Sequence, residues 1–172
     1  MNASDLQSRV RNLSYNDLVE AANFYFVDAV GTADTKEVER RIAKTVEKTD
    51  VEYSALKQSF GEVSGDQSSI DYLLRSTLLR AATGSEKEKE NLEEALAGVN
   101  KSQVVVEVLF AIYAATLLGM AWIAKPPREI EKSEKREIHP DGSETVTTST
   151  SMKEIPPPVE KLYGWIGKLA GK

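Results

Sequence analysis

The chain has 172 residues, of which 41% are hydrophobic and 28% charged, a size and balance that suit one packed core with an appendage and exclude disorder throughout. It contains no cysteine, so disulfides, zinc–thiolate sites, iron–sulfur clusters and thiol nucleophiles are ruled out. The net charge is −5, and residues 1–125 hold 14 Lys/Arg against 19 Asp/Glu; no basic stripe is present to displace counterions from phosphates, and no nucleic acid is expected as a partner.

In chain order, Met1 to Asp5 lack the basic and apolar regions of a cleaved secretion signal. Ser14 with Asp17 marks a helix start, and the stretch from Tyr15 to Val30 sets Leu18, Ala21, Ala22, Tyr25, Phe26 and Ala29 on one face. Gly31 stops it. Asp34 with Glu37 forms the next capping box, and Val38, Ile42 and Val46 recur every fourth residue, a stripe narrow enough to predict a surface helix. Tyr53, Leu56 and Phe60 suggest a short helix closed by the region Gly61 to Gly65. Ser68 to Ala82 carries Ile70, Leu73, Leu74, Thr77 and Leu78 at helical spacing, and Ser85 with Glu88 caps a helix through Leu92, Ala95, Leu96 and Val99. Connections this short predict a bundle.

The segment from Val104 to Ala124 is the most apolar of the chain: 21 residues interrupted only by Glu107, with 17 uncharged residues from Val108 onward. At 1.5 Å per residue these lengths reach about 31 and 25 Å, against a hydrocarbon core of about 30 Å. Ala111, Ala115 and Gly119 are four apart and form a ridge of small residues that would let such helices pack closely, which makes self-association the expectation. Trp122, Lys125 and Arg128 then follow as membrane-interface residues, and the distribution of Lys and Arg around the segment would place the C-terminus in the cytoplasm. The competing expectation is that a helix apolar on every side is the central helix of a bundle in water.

Pro126 and Pro127 end this helix and mark a boundary. Beyond it, 129–138 and 143–155 flank His139-Pro140-Asp141-Gly142 and read as a long polar β-hairpin, with Ile130, Ile138, Val146, Met152 and Ile155 as its partner-binding residues. Three prolines, 156–158, precede a last amphipathic helix in which Val159, Leu162, Tyr163, Ile166, Leu169 and Ala170 share a face, and Trp165 and Lys168 suit either a membrane interface or a helix docked on the bundle.

No catalytic constellation emerges. The sole histidine, His139, sits on a turn, and the acidic run Glu86, Glu88, Glu90, Glu93 and Glu94 alternates with lysines as a solvated helix face does. No serine elbow, phosphate loop, calcium loop or Glu-x-x-His pair is present, so neither an enzyme, a metal, a cofactor nor a small-molecule substrate is expected. The expected fold is mainly α: a bundle of six to seven helices over residues 1–125, a Pro-bounded hairpin appendage over 126–158, and an amphipathic helix over 159–172. The expected work is association with a protein partner or with itself, membrane-associated through residues 104–124. The alternative is a soluble, cytoplasmic adaptor or assembly subunit that binds a partner through the hairpin.

Overall fold

Helix caps set the framework of the computed structural model, which describes residues 2–101, 107–122, 130–152 and 154–171, with 130–137 and 144–152 described by their backbone. In α1 (Ala3–Arg11) the Asn2 side chain accepts from the Asp5 amide at 2.9 Å; in α2 (Tyr15–Val30) Ser14 accepts from the Asp17 amide at 3.2 Å. Each contact satisfies one of the donors that a helix start leaves orphaned. Asp34 does the same for α3 (Thr35–Val46), and Ser85 for α6 (Glu86–Gly98). Gly31 closes α2 in the left-handed region with φ 78°, where glycine carries no Cβ penalty. Between α3 and α6 lie α4 (Tyr53–Ser64) and α5 (Gln67–Ala82). Gly61, expected at the end of α4, lies inside it.

The remaining helices are α7 (Val108–Ala121) and α8 (Pro157–Leu169). α7 is the hub of the bundle: α2, α3, α4, α5 and α8 all pack against it. Phe110, Ala111, Ile112, Tyr113, Ala114 and Ala115 are buried there, and the Tyr113 ring meets Phe60 edge-on with centroids 4.8 Å apart. A helix surrounded on so many sides needs apolar residues all round, which is the composition this segment has. Its 14 residues reach about 21 Å, short of the about 30 Å of a bilayer core, and among the described residues no helix is long and apolar enough to cross a membrane. Val104 to Val106, Ile123 and Ala124, which the sequence assigns to the same helix, lie outside the described residues.

The expected architecture is corrected on two points. The packed body is entirely helical and contains eight helices among the described residues, because α1 and α8 both dock onto it. α1 escapes the sequence pattern because it buries only Leu6 and Val10. α8 buries Val159, Leu162, Tyr163, Ile166 and Leu169 against α4, α5 and α7, so it completes the core instead of following it. Nor does a hairpin contribute a layer to this body. The strands β1 (Ile130–Ile138) and β2 (Glu144–Met152) pair antiparallel with each other, Ile130 opposite Met152 and Ile138 opposite Glu144, and neither packs extensively on any helix. The fold class is therefore that of a helical bundle. Within α2, Ala29 is exposed although its spacing assigned it to the core face.

Candidate functional site

Three helices meet where α7 begins. The backbone N–H of Glu107 donates to Asn23 Oδ1 at 3.3 Å, while the Asn23 amide nitrogen donates to the Val19 carbonyl of its own helix at 2.8 Å. The Thr35 hydroxyl, at the first residue of α3, donates to the Glu107 carboxylate. Asn23 is buried inside an otherwise apolar stripe of α2, where its amide would be costly unless both ends were satisfied. A groove of about 520 Å³ opens beside this junction, with Val27, Ala33 and Phe110 along it and Asp34 and Glu107 contributing carboxylates. Both acids already have structural duties, since an Asp34 oxygen accepts from the Lys36 amide at 3.0 Å and Glu107 holds Thr35.

A second polar cluster lies where α3 meets α4. The Tyr53 hydroxyl donates to Glu39 at 2.9 Å, and the Lys57 ammonium stands 3.4 Å from the same oxygen. Burial, then the hydrogen bond and charge of Glu39, push the Tyr53 hydroxyl well above the ordinary phenol pKa; burial and Glu39 also raise Tyr113. At the start of α3, hydrogen bonds from Arg40 and Arg41 lower the Glu37 carboxyl to about 2. The shifts move Glu37 and the two tyrosines further from neutral pH, so none of them is tuned toward proton transfer there.

The buried polar side chains likewise join elements. Arg75, 8% exposed, donates to the carbonyls of Val10 at 2.6 Å, Arg11 at 3.3 Å and Leu13 at 3.2 Å, and holds Asp71 at 2.8 Å. It ties the turn between α1 and α2 to α5. Thr77 and Thr116 donate to the carbonyls four residues back, Leu73 and Ile112, at 2.7 and 2.9 Å. Ser59 accepts from the Trp165 indole at 3.0 Å, fastening α8 to α4. Among the described residues no cluster of three or more His, Asp or Glu is placed to hold a metal ion.

The residues singled out from the sequence are dispersed. Ala111, Ala115 and Gly119 are buried within the bundle, so the ridge they form faces neighbouring helices of the same chain. Trp122 caps α7, with the Arg80 guanidinium 5.9 Å from its ring centre; Lys125 and Arg128 lie outside the described residues. Trp165 is partly buried, and the Lys168 ammonium sits 4.7 Å from its ring centre. Ile130, Val146 and Met152 lie in the two-stranded ladder, Ile138 is 81% exposed at the end of β1, and Ile155 packs partly against the core. Sequence reasoning passed over Asn23 and Arg75. The available signal was a polar residue flanked one turn away on both sides by apolar ones, Val19 and Phe26 about Asn23, Tyr72 and Leu78 about Arg75.

No family model, curated protein or solved structure matches the chain.

Proposed function

We propose that the chain is a non-enzymatic adaptor or assembly subunit, a helical bundle whose work is association with a protein partner or a second copy. The observation that carries this reading is the burial of α7 among five helices of its own chain, with Ala111, Ile112 and Ala114 at 0% exposure. A segment whose side chains from Phe110 to Thr116 are buried among helices of its own chain leaves little apolar surface for lipid, which favours the adaptor over the membrane-anchored alternative. Support also comes from the polar side chains: Asn23, Arg75, Thr77, Thr116 and Ser59 are all engaged in joining helices or in bonding within them, as in a rigid scaffold.

The test is fractionation followed by mass measurement. The chain, expressed without detergent, is expected to leave carbonate-washed membranes and to elute from a sizing column at a mass that light scattering resolves as one copy of 19.0 kDa or a whole multiple of it. Retention in the washed membrane would overturn the reading and return α7 to the bilayer.

A further inference from the structure

Helix α3 differs from its neighbours in how it is held. Among the described residues α7 is the only helix on which it packs extensively, whereas α1, α2, α4, α5, α6 and α8 each pack on two or more. It contributes three side chains to the core, Val38, Ile42 and Val46. Its other attachments are polar and at least partly solvent-exposed: Thr35 to Glu107, Arg41 to the Val30 carbonyl at 2.7 Å, and Glu39 to Tyr53 and Lys57. The start of the helix and the linker that follows it border unfilled space. The groove of about 520 Å³ runs beside residues 33–36, and a second of about 450 Å³ lies beside Thr49, Asp50 and Val51, with Trp165 on its other side. The linker at its start begins with Gly31, whose φ of 78° suits glycine and whose Cα has nothing within 4 Å of where a Cβ would stand.

We propose that α3 is a hinged cover over α7, swinging on the linkers 31–34 and 47–52 and detaching as a unit while the other helices stay packed. Elements with few buried apolar side chains and solvent-facing hydrogen bonds open at lower free energy than the global transition. Detachment uncovers a flank of α7 beside Glu107, whose carboxylate Thr35 of α3 holds in the closed state. The polar ties at residues 35, 39 and 41 act as latches, so cutting one raises the open fraction without disturbing α5.

The absence of cysteine allows a direct test by thiol labelling. Val38→Cys places a probe on the buried stripe of α3, and Ser76→Cys places a control in α5, where Ser76 is 4% exposed. The Val38→Cys thiol is expected to react at least about tenfold faster than the Ser76→Cys thiol under native conditions. Adding Thr35→Ala should accelerate the first several-fold and leave the second unchanged. Equal labelling rates at the two sites, or acceleration of both by Thr35→Ala, would show that α3 opens only with the whole bundle. Native-state hydrogen exchange of the unsubstituted chain gives an independent reading. Amides of 35–46 should exchange through an opening with weak denaturant dependence, and exchange with the same dependence as 67–82 overturns the proposal.

Discussion

Ile112 and Leu109 lie three residues apart on the same apolar helix and have opposite surroundings, which makes them a sensitive probe of where α7 sits. Ile112 is 0% exposed and Leu109 is 46% exposed. Truncating a fully buried isoleucine to alanine loses the transfer free energy of the removed carbons and leaves a closed cavity, together about 2–5 kcal/mol. Leu109 already has nearly half of its surface in water, so Leu109→Ala forfeits about 1 kcal/mol and leaves no closed void. For a chain of this length about 2–4 °C of Tm accompanies each kcal/mol, so Ile112→Ala should lower Tm by about 10 °C and Leu109→Ala by about 3 °C. Circular dichroism at 222 nm follows the transitions, with light scattering at the starting temperature to show that the particle mass is unchanged. Equal shifts, or a larger one for Leu109→Ala, would mean that α7 does not present these faces to the core, and the reading of it as the hub would fail.

Arg75→Met removes the guanidinium that holds Asp71 and three backbone carbonyls; because Asp71 keeps 26% of its side-chain surface exposed, the cost is set at about 3 kcal/mol, the lower end for breaking a buried pair. Urea denaturation measures it, and a loss under about 1 kcal/mol would show that the clamp is dispensable. Glu37 has its carboxyl lowered from 4.5 to about 2 by Arg40 and Arg41, so the stabilisation it gives α3 is complete above pH 4.5 and disappears as the pH falls through 2. Carboxyl NMR titration should find this midpoint, and Glu37→Gln should abolish that part of the acid sensitivity; an ordinary midpoint near 4.5 would contradict the paired geometry. Trp122→Phe leaves Trp165 as the sole indole reporter, and its emission should stay fixed on addition of anionic lipid vesicles because the apolar face of α8 is already buried; a blue shift would mean that α8 leaves the bundle for the interface.

Much of the helical framework was legible because caps and periodicity are local. Ser14 and Ser85 accept from the Asp17 and Glu88 amides at the starts of α2 and α6, as their spacing suggested; Asp34 caps α3 through the Lys36 amide instead, with Glu37 drawn to Arg40 and Arg41, and Val38, Ile42 and Val46 form the narrow buried stripe of α3. What was not legible depends on partners distant in sequence. α1 carries two buried residues and is fixed by Arg75, more than sixty positions away, so no pattern within nine residues reveals it. The ambiguity of the apolar helix was of the same kind: hydropathy reports that Ala111 and Ala115 avoid water, not whether lipid or α2 and α5 take its place. Asn23 was passed over because a polar residue on an apolar face looks like noise until its acceptor meets the start of α7, eighty-four residues on.

Glu107 shows why a single charge at the edge of an apolar run carries more information than the run itself. As a membrane residue it would stand a turn inside the helix, reaching for the headgroups. In the bundle it precedes the first turn of α7, and its carboxylate also meets Thr35 at the first turn of α3. Glu107 therefore stands where the starts of α7 and α3 come together, its backbone entering α7 and its carboxylate holding Thr35. The same contact joins α7 to the helix that covers it. Glu107→Gln leaves a hydrogen-bond acceptor for Thr35 but removes the charge that strengthens the bond. If α3 is latched by charge, the substitution should loosen α3 while α5 and α8 keep their protection; if the hydrogen bond alone holds it, hydrogen exchange in α3 should be unchanged.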